Sequence, residues 1–129
     1  KLKLDDKNDV VFVSIHTNGG DGRHIRGRTQ TFYCSADSKP LADNLLKEIQ
    51  AIAPPVFSFS SGGFQDCGLA VINKTAEEKI PASLIEVLYH NNTDDELLLF
   101  DGAFNTSAGS GIAKAIEDFI ELKNKGGSK

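Results

Sequence analysis

The sequence predicts a three-layer α/β fold, a central mixed, mostly parallel sheet with helices on both faces. Short apolar runs rich in β-branched and aromatic residues, at 10–15 and 83–88, have the length and composition of buried strands. Two longer segments carry apolar residues at helical spacing, over 41–52 and 112–120, and so present one face each to a sheet.

The first run, Val10-Val11-Phe12-Val13-Ser14-Ile15, reads as a strand buried on both faces. A polar, Gly-containing loop follows over 19–28, and Thr29-Gln30-Thr31-Phe32-Tyr33-Cys34 resumes as a second strand by its β-propensity. Leu41, Leu45, Ile49 and Ile52 then recur at intervals of four, four and three, one face of an amphipathic helix. Pro40 is tolerated in its first turn, where an N–H would have no helical partner, and Pro54-Pro55 ends it. Residues 56–67, rich in Ser, Gly and Phe, have no clean period and read as an irregular segment. Residues 69–72 and 83–88 read as two further buried strands, separated by the charged stretch 74–79 and by Pro81. Thr93-Asp94-Asp95-Glu96 has the capping-box pattern, with Glu96 able to reach back to the Thr93 backbone, and starts a short helix. Ile112, Ile116, Phe119 and Ile120 place a last helix over 106–122.

With 129 residues, 40% of them hydrophobic and 25% charged, the chain is expected to form a single domain, 1–129. A net charge of −4 argues against a nucleic-acid surface covering the domain, although it leaves room for a local basic patch. No apolar stretch approaches the roughly 20 residues of a membrane-spanning helix, and residues 1–9 lack the apolar core of a signal peptide, so neither nucleic acid nor membrane is an expected partner. Cys34 and Cys67 show no metal-binding spacing and read as buried thiols in preference to one disulfide. The chain starts with Lys and enters a buried strand almost at once, so it reads as a piece of something longer.

Val13-Ser14-Ile15-His16-Thr17-Asn18-Gly19 puts a histidine at the end of a strand, where open α/β sheets place ligands. The competing reading is a histidine satisfied by neighbouring loop groups. Glu86 interrupts the otherwise apolar run Ala82-Ser83-Leu84-Ile85-Glu86-Val87-Leu88-Tyr89. A carboxylate there needs a partner, a metal or a raised pKa, and such groups serve as general acids and bases, although an exposed sheet edge or a buried salt bridge would also explain it.

These two segments, with residues 27–33 and the extension through His90-Asn91-Asn92, resemble the second half of the zinc-dependent N-acetylmuramoyl-L-alanine amidases of the Amidase_3 type. The resemblance runs over roughly 10–122. It implies that His16 is a zinc ligand and Glu86 the catalytic acid/base, and that the domain is the C-terminal portion of an amidase catalytic domain. It makes Asn18 a substrate-binding candidate, orienting the loop or a substrate carbonyl, with a purely structural turn role as the equal alternative, and gives Asn92 a helix-entry or turn role in preference to catalysis. The implied cofactor is Zn2+, the implied partner is peptidoglycan, and the implied reaction cuts the amide between N-acetylmuramic acid and L-alanine, in an autolysin or a phage endolysin. Such an enzyme acts as a secreted or cell-wall protein, or sits in the host cytoplasm before lysis.

The family's first histidine ligand and its glutamate ligand come from an N-terminal half, and nothing before Val10 resembles either. A shell completed by His24, by His90 or by a second polypeptide, such as that missing half, is the alternative to a site that holds no metal. His24 reads as solvated, and His90 as a surface residue in preference to one supporting the ligands. Leu88 stands where the family usually has Gly, which bears on the floor of the substrate site. Arg23, Arg26 and Arg28 could bind stem-peptide carboxylates, but a solvated basic loop is favoured. The rival readings are another zinc-dependent peptidase or amidohydrolase, and a non-catalytic cell-wall binding module that has lost its metal site.

Overall fold

A computed structural model describes residues 10–20, 28–53, 58–59 and 63–126 of the chain. The readings of His24, Arg23 and Arg26, and of the Arg28 side chain, lie outside these residues. Among the described residues the strands are β1 (Phe12–Asn18), β2 (Arg28–Tyr33), β3 (Ser58–Phe59), β4 (Phe64–Gln65) and β5 (Ala82–Tyr89). The helices are α1 (Lys39–Ile52), α2 (Ala70–Glu77), α3 (Thr93–Phe100) and α4 (Gly102–Gly126).

The strands form one sheet in the order β1-β5-β2-β3, with β4 continuing along the β3 edge of β2. β1 and β5 are parallel, as are β2 with β3 and β2 with β4, whereas β2 and β5 are antiparallel. This is the mixed, mostly parallel sheet the sequence predicts. Because side chains alternate across a strand, β5 supplies both cores. On one face Ile85, Val87 and Leu88 meet Leu41, Leu45 and Ile49 of α1 and Phe104, Ile112 and Phe119 of α4. On the other, Ala82 and Leu84 meet Ile72 of α2, with Phe12 and Phe32 packed around them. Each fully buried Leu or Ile contributes about 1.5–3 kcal/mol, so α1 and β5 are the main anchors of the fold.

Several expectations are corrected. Residues 69–72 are not a strand: Leu69 precedes α2, and its carbonyl accepts the amides of Ile72 and Asn73 at 3.1 and 3.0 Å. Only Ile72 of that run is buried, as one turn of a surface helix requires, and four apolar residues carry no period that separates helix from strand. β1 is not buried on both faces. It is an edge strand among the described residues, and Ile15 is 59% exposed.

Cys34 and Cys67 are not thiols but a disulfide, with Cα atoms 4.7 Å apart. The parallel pairing of Phe64 and Gln65 with Phe32 and Tyr33, continued by the Asp66 N–H on the Tyr33 carbonyl at 2.9 Å, brings the two cysteines alongside. At the start of α3 the cap is Asn92 and not Thr93. The Asn92 side-chain oxygen accepts the amides of Asp94 and Asp95, both at 3.0 Å, which gives Asn92 the helix-entry role.

Candidate active site

Parallel pairing of β1 with β5 sets His16 opposite Glu86, and antiparallel pairing of β2 with β5 sets Gln30 opposite Glu86 from the other side. Directly paired residues project to the same face, so imidazole, carboxylate and amide form one transverse row near the carboxyl ends of β1 and β5. His16 is exposed, whereas Gln30 and Glu86 are half-buried.

Beyond Glu86 the register slips. His16 pairs with Glu86 and Asn18 with Tyr89, so Val87 and Leu88 together stand against Thr17. This is a β-bulge, and it turns on Leu88, whose φ of 64° lies in the left-handed region that favours glycine. A glycine would adopt this backbone freely, and the Leu88 side chain is fully buried in the α1/α4 core. The extra residue rotates Tyr89 back to the face of Glu86. Its backbone N–H is met by the Asp95 carboxylate at 2.8 Å.

A second polar row follows. The Gln30 side-chain oxygen accepts from Asn18 Nδ2 at 3.2 Å and from the Tyr89 hydroxyl at 3.3 Å. The loop after β1 is latched onto the end of β5. The His90 N–H donates to the Asn18 carbonyl at 2.9 Å, Asn91 Nδ2 donates to the Gly20 carbonyl at 2.7 Å, and His90 Nδ1 lies 3.4 Å from Thr17 Oγ1. Gly19 lies directly under the His90 ring: a Cβ at that position would fall 2.4 Å from His90 Cε1. A side chain at position 19 would have to displace the His90 ring, which packs onto the loop that follows β1.

Glu86 Oε2 is buried and has no hydrogen-bond partner among the described residues. Burial pushes the Glu86 carboxyl above its ordinary range, while the nearby imidazoles of His16 and His90 oppose the shift. A carboxyl with raised proton affinity and an unused oxygen can take a proton from water and return it to a leaving group. His16 Nε2 lies 2.8 Å from Ser14 Oγ. Among the described residues no group of three or more His, Cys, Asp or Glu side chains could hold a metal ion. On the opposite face of the sheet from Glu86, between the end of β1 and α4, a groove of about 450 Å³ is lined by Ile15, Thr17, Val87, Leu99, Asn105 and Ile112 and reaches His16 at the edge.

His16, Glu86 and Asn18 are thus gathered at one end of the sheet. Gln30 and Tyr89 complete the cluster without having been picked out in the sequence. Gln30 alternates with Thr29 and Thr31, both fully buried, and so faces the other way, but that burial is visible only in the structure.

A family profile described as N-acetylmuramoyl-L-alanine amidase, Amidase_3, matches residues 3–118. An endolysin of Bacillus phage SPP1 is 29% identical over 123 residues, covering 91% of this chain and 42% of the endolysin. Among solved structures, the catalytic domain of the amidase CwlV from Bacillus (Paenibacillus) polymyxa var. colistinus is 29% identical with a TM-score of 0.67, over 86% of this chain and 57% of that one. The amidase AmiC2 of Nostoc punctiforme shares the fold with a TM-score of 0.74 at 22% identity, over 86% of this chain and 58% of that one. The chain therefore spans between two fifths and three fifths of the length of these relatives. With the family profile covering most of its length, and with His16 and Glu86 paired across β1 and β5, the chain belongs to the Amidase_3 family of N-acetylmuramoyl-L-alanine amidases.

Proposed function

We propose that this chain serves hydrolysis of the amide between N-acetylmuramic acid and L-alanine in peptidoglycan, with Glu86 as general acid/base. The observation that carries the reading is Glu86 Oε2, buried, without a hydrogen-bond partner among the described residues and in register with His16. Glu86 accepts a proton from the attacking water as the C–O bond forms. It then donates that proton to the amide nitrogen as the C–N bond breaks, releasing a free amine on the stem peptide and a carboxylate on the lactyl group. Asn18 borders the site at the start of the loop and is the assigned substrate contact.

Zinc, the cofactor the family resemblance implies, is not accommodated by the described residues alone. A catalytic zinc takes three protein ligands, and the row offers one imidazole, His16, beside a carboxylate assigned to proton transfer. We assign His16 as one ligand, with the others supplied by polypeptide outside the described residues, such as the N-terminal half of an amidase domain. The same segment would cover the outer edge of β1. The Cys34–Cys67 disulfide supports action in an oxidising setting, at the cell wall or after release from a lysing host. No helix among the described residues is long and apolar enough to cross a membrane.

The test is release of stem peptide from a purified muropeptide, followed by mass spectrometry in the presence of zinc. Glu86→Gln is expected to lower turnover at least about 100-fold, the lower bound for a positioned acid/base, while leaving muropeptide binding within a factor of about two. Full activity of Glu86→Gln sinks the assignment. A second reading, a wall-binding module without catalysis, is favoured by the incomplete ligand set among the described residues. It predicts peptidoglycan binding with no stem-peptide release at any zinc concentration, even when the chain is joined to the N-terminal half of an amidase domain.

A further inference from the structure

Gln30 lies on β2, directly across from Glu86, at the centre of the face that carries His16 on the far side. Its amide orientation follows from its neighbours. The Gly19 backbone N–H donates to Asn18 Oδ1 at 2.8 Å, and because a backbone N–H can only donate, the acceptor end of the Asn18 amide is identified. Asn18 Nδ2 must then be the donor to Gln30 at 3.2 Å, so the atom it meets is Gln30 Oε1. The Tyr89 hydroxyl donates to that same oxygen at 3.3 Å. The carbonyl of Gln30 is therefore used twice, and its NH2 group makes no hydrogen bond to any described residue.

Across the strand, about 5 Å away at Cβ as for any directly opposed pair, stands Glu86 with its own unused oxygen. One neighbouring group thus offers donors and the other an acceptor, on one face, at the mouth of the site. An amide carbonyl flanked by water is the chemistry this pair fits.

We propose that Gln30 is a substrate-binding residue, whose Nε2 donates to the carbonyl oxygen of the peptide amide that Glu86 serves, its orientation held by the relay from Gly19 through Asn18. The inference rests on the amidase reading of the site and adds to it a specific contact. A merely structural Gln30 would act through its oxygen alone, tying Asn18 and Tyr89 together.

Two substitutions separate these roles. Gln30→Glu keeps an oxygen for Asn18 and Tyr89 and, when ionised, carries no donor; Gln30→Met removes both functions. The full chain and both variants are titrated with N-acetylmuramyl-L-alanyl-D-isoglutamine, reading the dissociation constant and the side-chain amide NMR signals of Asn18 and, in the parent, Gln30. The expected result is that the ligand shifts the Gln30 NH2 signals in the parent and that Gln30→Glu binds about tenfold more weakly, the loss of one neutral hydrogen bond, with the Asn18 signals in place. Binding by Gln30→Glu within a factor of two of the parent overturns the proposal while leaving the amidase reading intact. No binding by the parent overturns both. Should Gln30→Met fail to fold, Gln30→Glu carries the test by itself.

Discussion

Replacing Leu88 pits two effects of opposite sign against each other. The residue is fully buried against α1 and α4, yet its φ of 64° is one that L side chains adopt only at a cost of about 1–2 kcal/mol. Leu88→Ala keeps that strain and empties the side-chain volume, so it should lose about 3–5 kcal/mol, as buried Leu-to-Ala changes do. Leu88→Gly empties the same volume but relieves the strain, and its net loss should be smaller by about 1 kcal/mol. In both variants burial outweighs strain, so each is less stable than the parent. The informative quantity is their order, since in a regular strand or helix interior Ala exceeds Gly by roughly 0.5–1 kcal/mol and here Gly should exceed Ala. Urea unfolding of the three chains, followed by circular dichroism, measures it. Ala at 88 more stable than Gly would refute the left-handed bulge, and with it the argument that the bulge returns Tyr89 to the face of Glu86.

Other perturbations test other links. Reducing Cys34–Cys67, or replacing both by Ser, frees a connection with a sequence separation of 33, and chain entropy sets the loss at about 3–4 kcal/mol; a change below about 1 kcal/mol by urea unfolding would show that the 34–67 segment holds without it. Asp95 is fully buried, and burial is the main cause that raises its carboxyl pKa, with Asp94 adding to the shift and the Tyr89 amide opposing it. Its stabilising share is therefore fully present below the unfolded Asp value of about 3.9 and is lost as pH rises through the raised folded value. Asp95→Asn keeps an acceptor for the Tyr89 amide without that loss, so its stability relative to the parent should grow from pH 4 to pH 7 in unfolding titrations, and an advantage that shrinks with pH contradicts the assignment. Gly19→Ala should displace the His90 ring, detected as a changed His90 imidazole NMR signal with the overall fold kept; an unmoved ring would mean that the loop yields instead.

What could be read in the sequence, and what could not, has a physical basis. His16 and Glu86 stood out because a titratable side chain inside or at the end of an apolar run needs a reason, and the strand patterns around them placed both at the same end of one sheet. The conformation at Leu88 left no trace, since nothing about Leu announces a left-handed backbone; only its departure from the family's Gly hinted at it. The run 69–72 was too short to carry a period, so its helical state depended on Ile72 finding the sheet. Cys34 and Cys67 were unpaired on paper because separation along the chain says nothing about the return of β4 beside β2. The cap of α3 moved by one residue, from Thr93 to Asn92, two side chains of nearly equal capping power. Gln30 was missed because a neutral amide draws no attention until its partners are seen.

The two rims of the sheet are unlike. Along β2 the border consists of two-residue pieces, β3 and β4, and the disulfide pins the end of the second, which leaves little free backbone for another chain to copy. The rim at β1 runs over seven residues, and among the described residues it has no neighbour and bears an exposed Ile15. Long, open, apolar rims recruit strands, so self-association and completion by another polypeptide compete for the same backbone groups. Whatever occupies that rim runs beside the strand that carries His16, so self-association of the chain and access to one side of the candidate site meet at a single edge.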